Sequence, residues 1–238
     1  MPTPAAPTSV PQRPSPAALW SQGLRRMLPL SLSIFGYGLV YGAMAHDAHL
    51  GFSEALSMSI FLAAGAAQFA VLGLWHAAIG PITLALSTVL INARQVLYGL
   101  TFGPHLKHIR TRTLAWLAYG VTDESYSVTM VETLRGGPVS VPLLTGVIIG
   151  TMGPWWLSSA IGFVGGALVG NPARFGLDFA FLGAILGLLI TQLKGGRHVI
   201  AVSAAGVAAV IADHWAGPSG AVFAGAGMAF LIGLGDAQ

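Results

Sequence analysis

Eight apolar windows, at about 28–46, 54–75, 77–100, 114–131, 139–169, 176–193, 198–213 and 217–235, follow one another with only short loops between them. A helix needs roughly 20 apolar residues to cross a bilayer core, and most of these windows are of about that length. Charged residues make up 8% of the chain, and the mean hydropathy of +0.73 is far above that of a soluble domain. A soluble chain of 238 residues could not hide so much apolar surface, so lipid must be the solvent for much of it. The expected fold is all-α: a polytopic transmembrane bundle of seven or eight spans. The formal net charge of +3 reflects a scarcity of both signs and gives no footing for nucleic acid. With no cysteine there is no disulfide, thiolate nucleophile or Cys-ligated metal.

The first residues are Pro-rich and polar, which predicts a disordered tail over 1–26 and one transmembrane domain over 27–236. Two windows carry internal breakers. Window 139–169 is too long for one straight helix and contains Met152-Gly153-Pro154-Trp155-Trp156, where proline removes a backbone hydrogen bond. Window 77–100 is interrupted by Asn92-Ala93-Arg94-Gln95. Discontinuous helices of this kind, whose free ends bind carboxylates and cations, are common in transporters. Arg13, Arg25 and Arg26 place the N-terminus in the cytoplasm under the positive-inside rule. Three full spans would then put Lys107, Arg110 and Arg112 outside, so either an early window is re-entrant or the charge bias is overruled. GxxxG spacings at Gly38–Gly42, Gly146–Gly150, Gly162–Gly166, Gly166–Gly170 and Gly183–Gly187 predict close helix packing within the chain.

The chemistry is expected at the few polar residues inside apolar windows. Thr122-Asp123-Glu124-Ser125 falls within 114–131, where one carboxylate at a helix centre costs roughly 2.5–3.5 kcal/mol. On a continuous helix Tyr119, Asp123, Ser127 and Tyr126 share a face, while Glu124 points about 100° away from Asp123. Only one of the two carboxylates is then expected to face a cargo. A water-exposed helix end is the alternative that would make both cheap. Arg94, preceded by Asn92, is the cationic counterpart, and an ion pair that merely locks the bundle is the structural alternative. Gln68, in Gly65-Ala66-Ala67-Gln68-Phe69, needs a partner in hydrocarbon and reads equally as interhelical glue or ligand contact. Asp178 sits near a span start and reads as a cap. The seven histidines lack metal-ligand spacing, so no metal or cofactor is expected. HExxH, GxSxG and P-loop patterns are missing, which argues against an enzyme.

Five motifs, in order, then carry a resemblance: Gly36-Tyr37-Gly38-Leu39-Val40-Tyr41-Gly42, Gly65-Ala66-Ala67-Gln68-Phe69, Asn92-Ala93-Arg94-Gln95-Val96-Leu97-Tyr98-Gly99, Thr122-Asp123-Glu124-Ser125-Tyr126 and Gly176-Leu177-Asp178-Phe179-Ala180-Phe181. Together they make the chain resemble the large subunit of the AzlC-like branched-chain amino acid exporters. Gln95 departs from the pattern, where the family more often carries His. The resemblance implies export of leucine, isoleucine, valine and methionine across a bacterial cytoplasmic membrane, together with a small hydrophobic partner subunit. The residues themselves fit a zwitterion site near the bilayer midplane. Arg94, or a helix end near Asn92, would take the carboxylate. Asp123 or Glu124 would take the ammonium or a coupling proton, with Gln68 and Tyr126 beside them. A channel and a non-transporting membrane scaffold are the rival readings.

Overall fold

The computed structural model describes residues 14–75, 80–169, 183, 186, 189–190, 193 and 195–234. Asp178, most of window 176–193 and the Gly166–Gly170 and Gly183–Gly187 spacings lie wholly or partly outside these residues. Among the described residues the regular structure is helical, with no strand. In chain order the helices are α1 (Pro16–Asp47), α2 (Phe52–Leu62), α3 (Gly65–Trp75), α4 (Pro81–Asn92), α5 (Arg94–Phe102), α6 (Thr111–Gly120), α7 (Asp123–Leu134), α8 (Val141–Val169) and α9 (Gly196–Leu234), with a 3₁₀ turn at Gly103–His105. The expected tail boundary at residue 26 is too late. Ser15 caps α1 by accepting from the Ala18 amide, and Pro16 sits in the first turn, where its missing N–H costs nothing.

α1 and α8 form the centre of the molecule. Trp20 meets Gly146, Met27 meets Gly150, Leu39 meets Gly162 and Ala43 meets Gly166. Both numbers rise together, so the two helices run parallel. Small residues let them approach: a Cβ on Gly42 would collide with the Ser159 carbonyl, and one on Gly162 with the Leu39 carbonyl. Tight packing of this kind replaces the hydrophobic drive that lipid removes. Three of the predicted GxxxG pairs thus serve this one interface.

The expected break at Pro154 is not there. α8 runs through it as a single helix. Pro154 frees the carbonyl of Gly150, four residues back, and the Ser31 hydroxyl of α1 donates to that carbonyl at 2.7 Å. The neighbouring helix supplies the missing bond, which is how membrane helices tolerate proline. The interruption at 92–95 is present but shallow. α4 and α5 meet at Ala93, whose φ of −55° and ψ of −29° remain helical.

The sharp breaks fall elsewhere. At Ala63 the backbone turns left-handed, with φ +46°. The chain bends there enough for Gln68 on α3 to reach back to Met58 and Ser59 on α2. Along α2, Phe52 packs on Phe163 and Ser59 reaches Ser159, so this arm runs antiparallel to α8. α3 starts with Gly65 against Trp155 and returns toward the cluster of Leu72, Ala48 and Leu50 at the end of α1. The second break is at Val121 and Thr122, both extended. α6 ends with Gly120 on Ile148. α7 then descends from that level to Glu132, which bonds Gln22 and Arg26 near the start of α1.

Windows 54–75 and 114–131 are therefore bent helical hairpins, not straight spans. They enter from opposite ends of the α1–α8 pair and meet beside its middle, where the Tyr119 hydroxyl donates to the Ile60 carbonyl. α4 and α5 carry the chain from one end to the other. α9 also reverses, at Gly217 (φ +69°) before Pro218, bringing Gly225 against Ala205 and Ala209. Among the described residues, three helices are long and apolar enough to cross a membrane alone: Pro16–Asp47, Val141–Ala167 and Gly196–Gly217.

Candidate functional site

The two hairpin tips and the middle of the parallel pair enclose a cavity of about 50 Å³. Ala63 to Ala66 and Phe69 line it from the first tip, and Thr122, Asp123 and Glu124 from the second. α5 adds Arg94 and Gln95, α1 adds Ile34 and Tyr37, and α8 adds Thr151, Met152 and Trp155. One wall is charged and the other apolar. The volume suits a few waters, each needing at least about 10–15 Å³. It is too small for a whole amino acid.

The charged wall is built by helix termini. Thr122 is the N-cap of α7: its backbone N–H donates to Ser125 Oγ at 2.7 Å, and the Ser125 amide returns a bond to Thr122 Oγ1. Asp123 and Glu124 are thus the first two residues of a helix, where the positive end of the dipole favours carboxylates. This corrects the picture of two charges in mid-helix and explains how they are accommodated. It also corrects the shared face of Tyr119 with Asp123. Tyr119 belongs to α6, and the helical period does not carry across the extended Val121 and Thr122. Because both carboxylates sit at a helix end, both line the cavity, against the expectation that only one could.

Their partners differ. Asp123 pairs with Arg94 at 2.7 Å and accepts from the Tyr98 hydroxyl at 2.6 Å. Tyr98 is steadied by stacking on Tyr126, with ring centroids 4.3 Å apart and planes 17° apart. Glu124 accepts from the Thr122 hydroxyl at 2.7 Å. Facing this wall is the N-terminus of α3. The first amides of any helix lack an intrahelical acceptor, and α3 has no acidic residue in its first turn. Its tip therefore presents partial positive charge to the cavity, with no carboxylate of its own to offset it.

Of the residues expected from the sequence, Arg94, Asp123 and Glu124 come together around the cavity. Gln68 is fully buried and ties the two arms of the first hairpin, near Met58 and Ser59, without lining the cavity. Tyr126 stands one layer away, behind Tyr98. Asn92 ends α4 away from the cavity lining, and its buried Oδ1 accepts no hydrogen bond among the described residues. Sequence reasoning missed Ile34, Tyr37, Phe69, Tyr98, Gln95 and Trp155. Trp155 lay in the stretch read only as a helix breaker. Tyr37, Phe69 and Tyr98 lay inside quoted motifs, but nothing in the sequence set them apart from packing residues; Gln95 stood out only as a departure from the family pattern.

The family described as AzlC protein matches residues 29–169 of the chain, which run from within α1 to the end of α8 and hold every residue lining the cavity. Among curated relatives, the branched-chain amino acid transport protein AzlC of Bacillus subtilis (strain 168) is 26% identical over 196 residues, covering 79% of this chain and 75% of the relative. The inner membrane protein YgaZ of Escherichia coli (strain K12) is 26% identical over 207 residues, covering 83% of each. An uncharacterized membrane protein of Archaeoglobus fulgidus is 28% identical over 202 residues, covering 82% of this chain and 85% of the relative. No solved structure matches the chain.

Proposed function

The chain belongs to the AzlC protein family of membrane transport proteins, and on that premise we propose that it is a secondary transporter exporting leucine, isoleucine and valine, with methionine as a further substrate. The observation that carries this reading is the cavity in which a charged wall faces an apolar one between two hairpin tips. A zwitterion with an aliphatic side chain asks for that combination. The substrate ammonium goes to Asp123 and Glu124. Its carboxylate goes to the amides at the start of α3, since half-helix N-termini in transporters point at anionic substrate groups. Arg94 then has a different task from the one its charge first suggests: it holds Asp123 in place until an ammonium competes for that carboxylate. Glu124, held by the Thr122 hydroxyl, supplies the second carboxylate, and export runs on the proton gradient.

The cavity is closed to an amino acid in this state, so transport requires the tips to part in turn. Arg25, Arg26 and Arg135 cluster at the end where the α6–α7 hairpin opens, around the carboxylate of Glu132. Lys107, Arg110 and Arg112 follow α5 toward the same end. The positive-inside rule makes this the cytoplasmic end, in the inner membrane of a bacterium. The α6–α7 hairpin then admits substrate and the α2–α3 hairpin releases it outside. A small hydrophobic partner subunit completes the exporter.

Efflux of leucine, isoleucine, valine and methionine from cells loaded with the corresponding dipeptides, with and without a collapsed proton gradient, tests this reading. Saturable efflux that falls when the gradient is collapsed supports it. Efflux that never saturates indicates a channel, and no efflux of any of these in the presence of the partner indicates a scaffold.

A further inference from the structure

We infer that Trp155, seated against Gly65, is the gauge that sets how large a substrate side chain the cavity accepts. The inference rests on the amino-acid reading above and deepens it. With the ammonium at Asp123 and Glu124 and the carboxylate at the start of α3, the substrate Cα is fixed near the first hairpin tip. Its side chain must then meet the apolar lining, made by Ile34, Phe69, Met152 and Trp155. Trp155 is the one of these that packs against the first residue of α3. A Cβ on Gly65 would lie 2.9 Å from Cη2, 3.3 Å from Cζ3 and 3.4 Å from Cζ2 of its ring.

That ring has nowhere to retreat. It stacks on Tyr41 at 5.8 Å between centroids and meets Phe69 edge-on at 6.3 Å. Tyr41 and Phe69 are themselves fully buried. The next residue, Trp156, donates its indole N–H to the Ser59 carbonyl at 3.2 Å, which fixes α8 against the other arm of the same hairpin. A methionine in the same wall can change rotamer to suit its guest, but a ring wedged between α3 and two buried aromatics cannot. Packing alone does not account for the choice of tryptophan. Its buried Nε1 has no acceptor among the described residues, a penalty that phenylalanine would avoid.

Two substitutions on this contact should push selectivity in opposite directions. Trp155→Phe enlarges the cavity on the side-chain wall. Gly65→Ala adds a methyl 2.9 Å from the ring, at a residue that itself lines the cavity, and so narrows the cavity at that contact. The measurement is thermal stabilisation of the purified full-length chain in detergent, titrated with alanine, valine, leucine and phenylalanine. One methylene in an apolar pocket is worth at least about tenfold in selectivity. Trp155→Phe should therefore improve phenylalanine relative to leucine by about tenfold, and Gly65→Ala should weaken leucine relative to alanine by about tenfold. Where Trp155→Phe does not fold, Trp155→Tyr, which keeps an aromatic ring on Tyr41, carries the same prediction. Wild-type ratios preserved within about twofold in the folded variants overturn the inference, because a gauge must shift by at least about tenfold. If the wild-type chain responds to none of these amino acids, the amino-acid reading of the cavity fails instead.

Discussion

Pro154 has no N–H to give, so the Gly150 carbonyl would stand unpaired inside a membrane helix were it not for the Ser31 hydroxyl at 2.7 Å. The two residues therefore depend on each other across the α1–α8 interface. Ser31→Ala should lower stability by about 1 kcal/mol, between the average of roughly 0.6 and the maximum of roughly 1.7 kcal/mol for interhelical hydrogen bonds in membranes. In a Pro154→Ala background the same substitution should cost much less, because alanine at that position restores the helical donor. A double-mutant cycle on unfolding in detergent reads the difference, and equal costs in both backgrounds would remove the compensation argument. This is also why sequence reading went wrong at Pro154. The proline was visible, but its remedy lay 123 positions away in Ser31, which nothing local marks.

At the scale of elements, the hairpin breaks decide everything about the site. The Thr122 break was legible in principle: a Thr followed by Asp, Glu and Ser is a helix-start pattern, and the alternative of a helix end was open. The Ala63 break left almost no trace, since Ala63-Ala64-Gly65 reads as an ordinary small-residue run in a membrane helix. Its left-handed φ of +46° makes a test possible. A non-glycine residue pays roughly 1–2 kcal/mol for that conformation, whereas glycine inside a continuous helix costs about 1 kcal/mol relative to alanine. Ala63→Gly should consequently leave thermal stability unchanged or raised. Ala63→Val, a β-branched residue at positive φ, should lower it. A continuous helix would make Ala63→Gly the destabilising change, so a clear loss of stability in Ala63→Gly contradicts the hairpin.

For the whole molecule, the opposed hairpins settle a conflict in the charge pattern. Straight spans would put Lys107 on the opposite side from Arg25 and Arg26. A first hairpin that returns to its own side brings them together, which is the re-entrant one of the two alternatives that the basic residues left open. The all-α membrane fold and the glycine-packed helices were within reach of the sequence, since they rest on composition and short-range spacing; opposite charges in apolar windows suggested that Arg94 pairs with one of Asp123 and Glu124, but not which. The aromatic cluster in which Tyr41 and Phe69 back Trp155 was not, since it joins three helices far apart in the chain. A chain free of cysteine suits single-cysteine labelling with a membrane-impermeant thiol reagent. Arg25→Cys and Lys107→Cys should be protected in intact cells and labelled after permeabilisation, with Asp47→Cys labelled in both. Labelling of Lys107→Cys alongside Asp47→Cys in intact cells would reject the re-entrant arrangement.

The cavity between the tips is the centre of the whole account, and leucine export tests it most directly. Cells loaded with a leucine dipeptide should clear leucine through the wild-type chain. Asp123→Asn and Arg94→Gln, at equal amounts in the membrane, should each export at least about tenfold more slowly, since hydrogen bonds to a charged group are worth roughly 1.5–3 kcal/mol. Export by both variants at the wild-type rate would show that the substrate does not pass by way of this site.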